Sequence, residues 1–155
     1  DAEVECRRGG EAAARRVPIA DFLLGPYHTA LRHGEVLTAL RVPVPPPGAS
    51  VAHAKFAFHE RPTATIACLT RVENGVVAEA RVAVGSVGPQ PVRAAAAEAL
   101  LVGMPAAEPD PAVLAEAGDR AAADAMPVDD ATGSAEYKAQ LVRALLDRAF
   151  RETLG

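Results

Sequence analysis

The sequence is poor in cysteine, lysine and aromatic residues. Its two cysteines, Cys6 and Cys68, lie far apart, which excludes a CxxC site and a disulfide scaffold and fits a reducing, cytoplasmic location. No apolar run of about 18 residues occurs, so no transmembrane helix is predicted. The net charge is −4 and no basic patch stands out, whereas a nucleic-acid-binding protein normally has one. We therefore expect neither a membrane nor a nucleic acid as partner.

The remaining composition is that of a globular protein. The chain has 155 residues, of which 50% are hydrophobic and 23% charged, and this is enough to build a buried core. It opens with Asp-Ala-Glu-Val-Glu, without the basic and apolar regions of a signal peptide. Because this opening resembles a strand entered midway, we expect a piece of a longer protein.

The first 45 residues predict a small sheet. Residues 3–6 form a strand candidate, a turn at Gly9 and Gly10 follows, and residues 15–18 can return as its partner. Residues 19–24 predict one helical turn, and residues 36–42 a further strand. The proline-rich stretch 43–48 favours an extended backbone and cannot form a central strand, so it predicts a connector between two structural units.

The residues after the connector predict three strands, at 52–58, 63–72 and 76–87. The last two flank Asn74 and Gly75, which tolerate the positive φ angles of a type I′ turn. Apolar strands on both sides of Asn-Gly are a strong hairpin signal, so we expect an antiparallel pair here.

Helices are predicted over residues 92–101, 111–125 and 135–153, the last capped by Ser134. Apolar residues recur at helical spacing from Leu141 to Phe150, and Asp147 is predicted to form i,i+4 ion pairs with both Arg143 and Arg151. The order of elements indicates an α+β fold, in which a three-stranded antiparallel sheet packs on a three-helix bundle.

A search for chemical motifs yields few candidates. The histidines at positions 28, 33, 53 and 59 have no metal-ligand spacing, and no catalytic triad is present. Cys68, within an apolar strand, is expected to be buried. The Gly85–Gly88 stretch suggests either an anion site or a tight strand-to-helix corner. Lys55 is one of only two lysines, and is either a solvent-facing strand residue or a cation against an anionic ligand.

The order of short motifs resembles the flavoprotein (medium) subunit of molybdenum hydroxylases, the carbon monoxide dehydrogenase and xanthine dehydrogenase group. The motifs are DFLLGPYHTAL (21–31), GEVL (34–37), RVP (41–43), AKF (54–56), ARVAVGSVGP (80–89), PVRA (91–94), EALLVG (98–103), Tyr137 and LLDRA (145–149). The resemblance covers nearly the whole chain, and its specificity comes from the succession of motifs.

The resemblance implies an electron-transfer subunit about twice as long as this chain. Residues 1–45 would be the tail of the α+β FAD-binding domain, and residues 46–155 the C-terminal domain, with its sheet at 51–88 and its helices at 91–154. FAD would take electrons from a molybdenum-cofactor large subunit through an iron–sulfur small subunit, and pass them to NAD, a quinone or oxygen. The family's glycine-rich phosphate-binding loops are missing from this sequence, so FAD binding by this chain alone is expected to be weak or absent.

Flavin contacts follow from the resemblance by position. Leu37 aligns with a leucine near the flavin, Lys55 with a lysine close to the isoalloxazine, and Tyr27 is a weaker candidate. Many family members place an aspartate after the lysine strand, but this chain has Arg-Pro-Thr-Ala-Thr over residues 61–65. Two alternatives remain: a docking domain that binds partner subunits without flavin, and a small-molecule binder that uses the Gly85–Gly88 corner.

Overall fold

A computed structural model describes residues 2–58 and 60–155, and therefore leaves out Asp1 and His59. The chain divides into two compact units, Asp1–Pro46 and Pro47–Gly155. The division falls inside the proline-rich stretch that predicts a connector.

The first unit is built on a three-stranded antiparallel sheet of order β2-β1-β5. Its elements are β1 (Glu3–Arg8), β2 (Arg15–Pro18), α1 (Ile19–Phe22), β3 (Leu23–Gly25), β4 (His28–Thr29) and β5 (Glu35–Arg41). A small core of Val4, Cys6, Val17 and Phe22 lies against the sheet. The strands agree with the sequence prediction. The helical turn ends at Phe22, two residues earlier than predicted, because Leu23 and Leu24 join β3 of the short β3–β4 hairpin, which was not predicted.

The second unit contains a four-stranded antiparallel sheet of order β6-β7-β8-β9. Its strands are β6 (Ala49–Phe56), β7 (Ala64–Glu73), β8 (Val76–Gly85) and β9 (Val92–Arg93). The three predicted strands are all present, with β6 and β8 ending two residues earlier than predicted. The predicted total of three is wrong, because β9 forms where the sequence pattern places the start of a helix.

Side-chain hydrogen bonds explain the extra strand. Glu98 accepts from the backbone N–H of Val82 at 2.9 Å and from Nε and Nη2 of Arg93 at 2.7 and 2.9 Å. The N–H of Ala94 donates to the carbonyl of Val82 at 2.9 Å. These bonds hold Arg93 in extended conformation beside β8, so the helix begins only at Ala95.

The predicted hairpin is confirmed. Asn74 and Gly75 have φ angles of 51° and 79°, and Glu73 pairs directly with Val76 across the turn. Both central residues are therefore in the left-handed region that a type I′ turn requires.

Three helices cover one face of the second sheet: α2 (Ala95–Leu101), α3 (Pro111–Ala125) and α4 (Ala135–Leu154). The hydroxyl of Ser134 accepts from the N–H of Tyr137, which confirms the predicted cap. The α4 stripe faces the core, since Val142, Leu146 and Phe150 are fully buried and Leu145 is 7% exposed. No helix among residues 2–58 and 60–155 has the length and apolar content to cross a membrane.

One predicted ion pair is wrong. Asp147 does pair with Arg151, at 2.9 Å, but Arg143 pairs with Asp119 of α3 instead of Asp147. Asp147 is four residues from both Arg143 and Arg151, so helical spacing gives the two possible pairs the same local geometry. The packing of α3 against α4 brings the carboxylate of Asp119 to Arg143.

Candidate functional site

Lys55 lies on β6, at one edge of the second sheet. Along this strand Ala52 and Ala54 are buried toward the helices, whereas His53 and Lys55 are exposed on the opposite face. This alternation follows from the two-residue period of a strand. Lys55 has no ion-pair partner within the described part of the chain. Its position is therefore that of a solvent-facing strand lysine that is also free to meet a ligand.

The sheet register places two further residues in line with Lys55. Lys55 is opposite Thr65 on β7, and Thr65 is opposite Gly85 on β8. A Cβ atom added to Gly85 would lie 2.7 Å from Oγ1 of Thr65, so the threonine side chain occupies the space that the glycine leaves open. We call Lys55, Thr65 and Gly85 the lysine row. Sequence reasoning singled out Lys55, and Gly85 only as part of the Gly85–Gly88 stretch, because the register across the strands decides that Thr65 and Gly85 lie in line with Lys55.

Leu37 lies on β5 in the first unit, opposite Cys6, with 47% of its surface exposed. The register shifts immediately after Leu37, and the hydroxyl of Thr38 donates to the carbonyl of Glu5 at 3.2 Å. Such bulges redirect side chains and are common beside functional sites. Nothing in the sequence pattern indicates this bulge.

The start of β5 is fixed by an ion pair. Arg15 donates to both carboxylate oxygens of Glu35, at 3.0 and 2.7 Å, and also to the carbonyl of Ala30. The N–H of Arg32 adds a further bond to Glu35 at 2.8 Å. The Arg15 guanidinium, helped by that N–H, lowers the pKa of Glu35 to about 2. The loop before Leu37 is thereby tied to β2 of the same sheet.

Tyr27 occupies the turn between β3 and β4. Gly25 pairs with His28, so Pro26 and Tyr27 form a two-residue loop. Tyr27 has a φ of 57° and a fully exposed side chain. Glycine is the usual residue at a turn position of positive φ after proline, so a tyrosine here carries a conformational cost. Tyr27 and Leu37 both belong to the first unit and Lys55 to the second.

The Gly85–Gly88 corner is a packed turn with no room for an anion at Gly88. A Cβ on Gly88 would lie 2.1 Å from the carbonyl oxygen of Ala125, at the end of α3, and Val87 is 1% exposed. The carbonyl of Val87 accepts from the N–H of Val128. The structure therefore favours a tight corner over an anion site. The corner leads first into β9 and only then into the helix.

The remaining candidates are the four histidines and Cys68. His28, His33 and His53 are exposed, while His59 lies outside the described residues. The described residues contain no cluster of three or more metal-ligating side chains. Cys68 is 1% exposed, so the prediction of a buried cysteine is confirmed, and this burial raises the pKa of its thiol to about 12.

Comparison with known proteins identifies the family. Residues 49–153 match the CO dehydrogenase flavoprotein C-terminal domain. The chain is 34% identical over 142 residues to the carbon monoxide dehydrogenase medium chain of Afipia carboxidovorans, covering 90% of this chain and 48% of that one. It is 29% identical over 158 residues to the xanthine dehydrogenase FAD-binding subunit of Escherichia coli O157:H7, covering 99% and 51%.

The solved structures agree with the sequence comparison. The reconstituted CO dehydrogenase from Oligotropha carboxidovorans superposes with a TM-score of 0.89 at 32% identity, covering 99% of this chain and 52% of that one. The chain thus spans about half the length of the relatives it matches. Since the family match covers most of the chain and the fold agrees, the chain belongs to the family of CO dehydrogenase flavoprotein C-terminal domains.

Proposed function

We propose that this chain is the C-terminal part of an electron-transfer flavoprotein subunit of a molybdenum hydroxylase. The full-length subunit takes electrons that leave a molybdenum-cofactor subunit through iron–sulfur clusters on a second partner. FAD, when bound to that subunit, would supply the redox chemistry for passing these electrons to an acceptor. The single observation that carries the proposal is the exposed Lys55, which has no ion-pair partner among the described residues, on the open face of the sheet of this CO dehydrogenase flavoprotein C-terminal domain.

The donor set around Lys55 fits a flavin ring. An ammonium without a carboxylate partner and the neighbouring hydroxyl of Thr65 both offer hydrogen bonds. A flavin ring presents carbonyl oxygens that accept such bonds, and its reduced form is anionic. A cation held beside the ring stabilises the reduced form, because opposite charges attract. Lys55 therefore raises the potential of the bound flavin.

Residues 1–45 are proposed to be the remnant of the FAD-binding domain. Three large apolar side chains on and just after β5 are strongly exposed: Val36 at 61%, Leu40 at 56% and Val42 at 68%. β5 is also an edge strand, with one side of its backbone unpaired in this sheet. Such edges are normally covered in folded proteins. These features support a continuation of this unit into the N-terminal half that the relatives possess, with Leu37 and Tyr27 contributing flavin contacts.

The first experiment measures flavin content. The 155-residue chain and a full-length subunit containing it are purified, and absorbance near 450 nm is recorded after addition of FAD. We expect binding by the full-length subunit and weak or no binding by the shorter chain, because the proposed phosphate-binding loops belong to the other half. A full-length subunit that binds partner subunits but no flavin would establish the docking alternative instead.

The second experiment measures the flavin potential by redox titration of the full-length subunit. Lys55→Met keeps most of the stem and removes the charge, so the potential is expected to fall by about 20–45 mV, which corresponds to roughly 1–2 kcal/mol for a two-electron couple. Lys55→Arg is the matched control, since it retains a cation. Equal potentials in wild type and Lys55→Met would contradict a flavin contact.

A further inference from the structure

Gly85 is not required by its backbone. Its φ angle lies outside the left-handed region, so another residue would adopt the same conformation without strain. Glycine in the interior or at the end of a strand weakens the strand, and it often marks the close approach of another group. Here the approaching group is the hydroxyl of Thr65, 2.7 Å from where a Cβ of Gly85 would lie. The glycine therefore allows Thr65 to adopt this rotamer.

Thr65 itself has an unused hydroxyl. Thr65 is half-buried on the face of β7 that points away from the helices. Its side chain makes no hydrogen bond within residues 2–58 and 60–155. Directly opposite, the ammonium of Lys55 likewise has no ion-pair partner in this described part of the chain. Residues directly opposite in antiparallel strands have Cβ atoms about 5 Å apart, so both donors reach the same ligand.

The residues beside the lysine row are small. In the adjacent row of the register, His53 is opposite Ala67 and Ala67 is opposite Ala83. Both alanines are exposed, as is His53. Small side chains therefore line the sheet surface next to the donors of Lys55 and Thr65. A flat group that accepts hydrogen bonds can approach this surface without steric hindrance.

We propose that the Thr65 hydroxyl is a second flavin-binding group, which donates a hydrogen bond to the flavin ring. Lys55 balances the charge of the same ring, and Gly85 is a positioning residue for the Thr65 hydroxyl. The proposal rests on the proposed function, because it assigns Thr65 to the same flavin. It goes further in naming a neutral donor beside the cation and in giving Gly85 a role through Thr65.

The test uses the full-length, flavin-loaded subunit. Thr65→Val removes the hydroxyl with little change of shape, whereas Thr65→Ser keeps the hydroxyl and removes the methyl group. Gly85→Ala keeps the hydroxyl but forces it to rotate away. Thr70→Val is the matched control, because Thr70 is on the same strand, 1% exposed, and its hydroxyl has no partner. FAD dissociation constants are measured by the quenching of flavin fluorescence, and melting temperatures establish that each variant is folded.

The proposal expects Thr65→Val to weaken FAD binding by about fivefold, as for one hydrogen bond. Gly85→Ala should weaken it by a similar factor, and the double variant should be no worse than either single one. Thr65→Ser and Thr70→Val should stay within about twofold of wild type. If Thr65→Val binds FAD as wild type does while Lys55→Met still lowers the potential, the inference is wrong and the proposed function stands. If the full-length subunit binds no FAD, both fail.

Discussion

Lys138 has no exposed surface, and its ammonium lies 2.6 Å from a carboxylate oxygen of Asp130. The ammonium also donates to the carbonyl of Val128 at 2.9 Å, so α4 is tied to the loop before it. Asp130 in turn accepts from the N–H and the hydroxyl of Thr132. Bonds from Lys138 and Thr132 hold the pKa of the Asp130 carboxyl well below its usual range. This pair fixes the course of the loop that precedes α4.

The two partners of this pair should differ in their effect on stability. Asp130→Asn keeps the bonds to Thr132 but leaves a buried ammonium without a counter-charge, and we expect a loss of about 2–3 kcal/mol in the free energy of unfolding. Lys138→Met removes the buried charge and keeps an apolar stem, so a smaller loss is expected. Urea denaturation of both variants measures the difference. A larger loss in Lys138→Met would show that the bond to Val128 matters more than charge pairing.

The hairpin turn provides a second test. Gly75→Val places a β-branched residue at a φ of 79°, where nothing else lies within 4 Å, and should cost about 1 kcal/mol or more. Gly75→Asn is the control, because asparagine tolerates the left-handed region, and its loss should be smaller. Thermal unfolding reports both. An unchanged melting temperature in Gly75→Val would contradict the importance of this conformation.

The α4 stripe predicts a large effect of truncation. Leu145 is 7% exposed within the main core, so Leu145→Ala should cost roughly 2–5 kcal/mol. Arg148, exposed on the other face of the same helix, is the matched site, and Arg148→Ala should change stability by less than about 0.5 kcal/mol. Chemical denaturation distinguishes them. A loss below about 0.5 kcal/mol in Leu145→Ala would mean that this face does not stabilise the chain.

The Arg15–Glu35 pair predicts a pH dependence of stability. The pKa of Glu35 is depressed from 4.5 to about 2 in the folded chain, so its contribution is fully present above about pH 4.5 and is lost as the pH falls toward 2. Glu35→Gln removes this contribution. The difference in unfolding free energy between wild type and Glu35→Gln should therefore shrink between pH 6 and pH 2.5. A difference that stays constant over this range would contradict the assignment.

Local sequence signals determined the elements of this protein. Asn74 and Gly75 set a turn because few residues tolerate their φ angles, and Ser134 sets the start of α4 because its hydroxyl accepts an orphan N–H. The alternation along β6 and the apolar stripe of α4 likewise determined which faces are buried. Each of these features depends on residues within a few positions of one another, so the sequence pattern carries it directly.

The tertiary structure decided which distant residues meet. Glu98 creates β9 by bonding to Val82, sixteen residues away, and Arg143 pairs with Asp119, 24 residues away, instead of Asp147, which is four residues away. The lysine row exists only because the strand register aligns Lys55, Thr65 and Gly85. The energies of such contacts depend on the packing of whole elements, and a one-residue change of register would send Thr65 to the other face of the sheet. For this reason the sequence could single out Lys55 and the Gly85–Gly88 stretch separately, but not the alignment of Thr65 and Gly85 with Lys55.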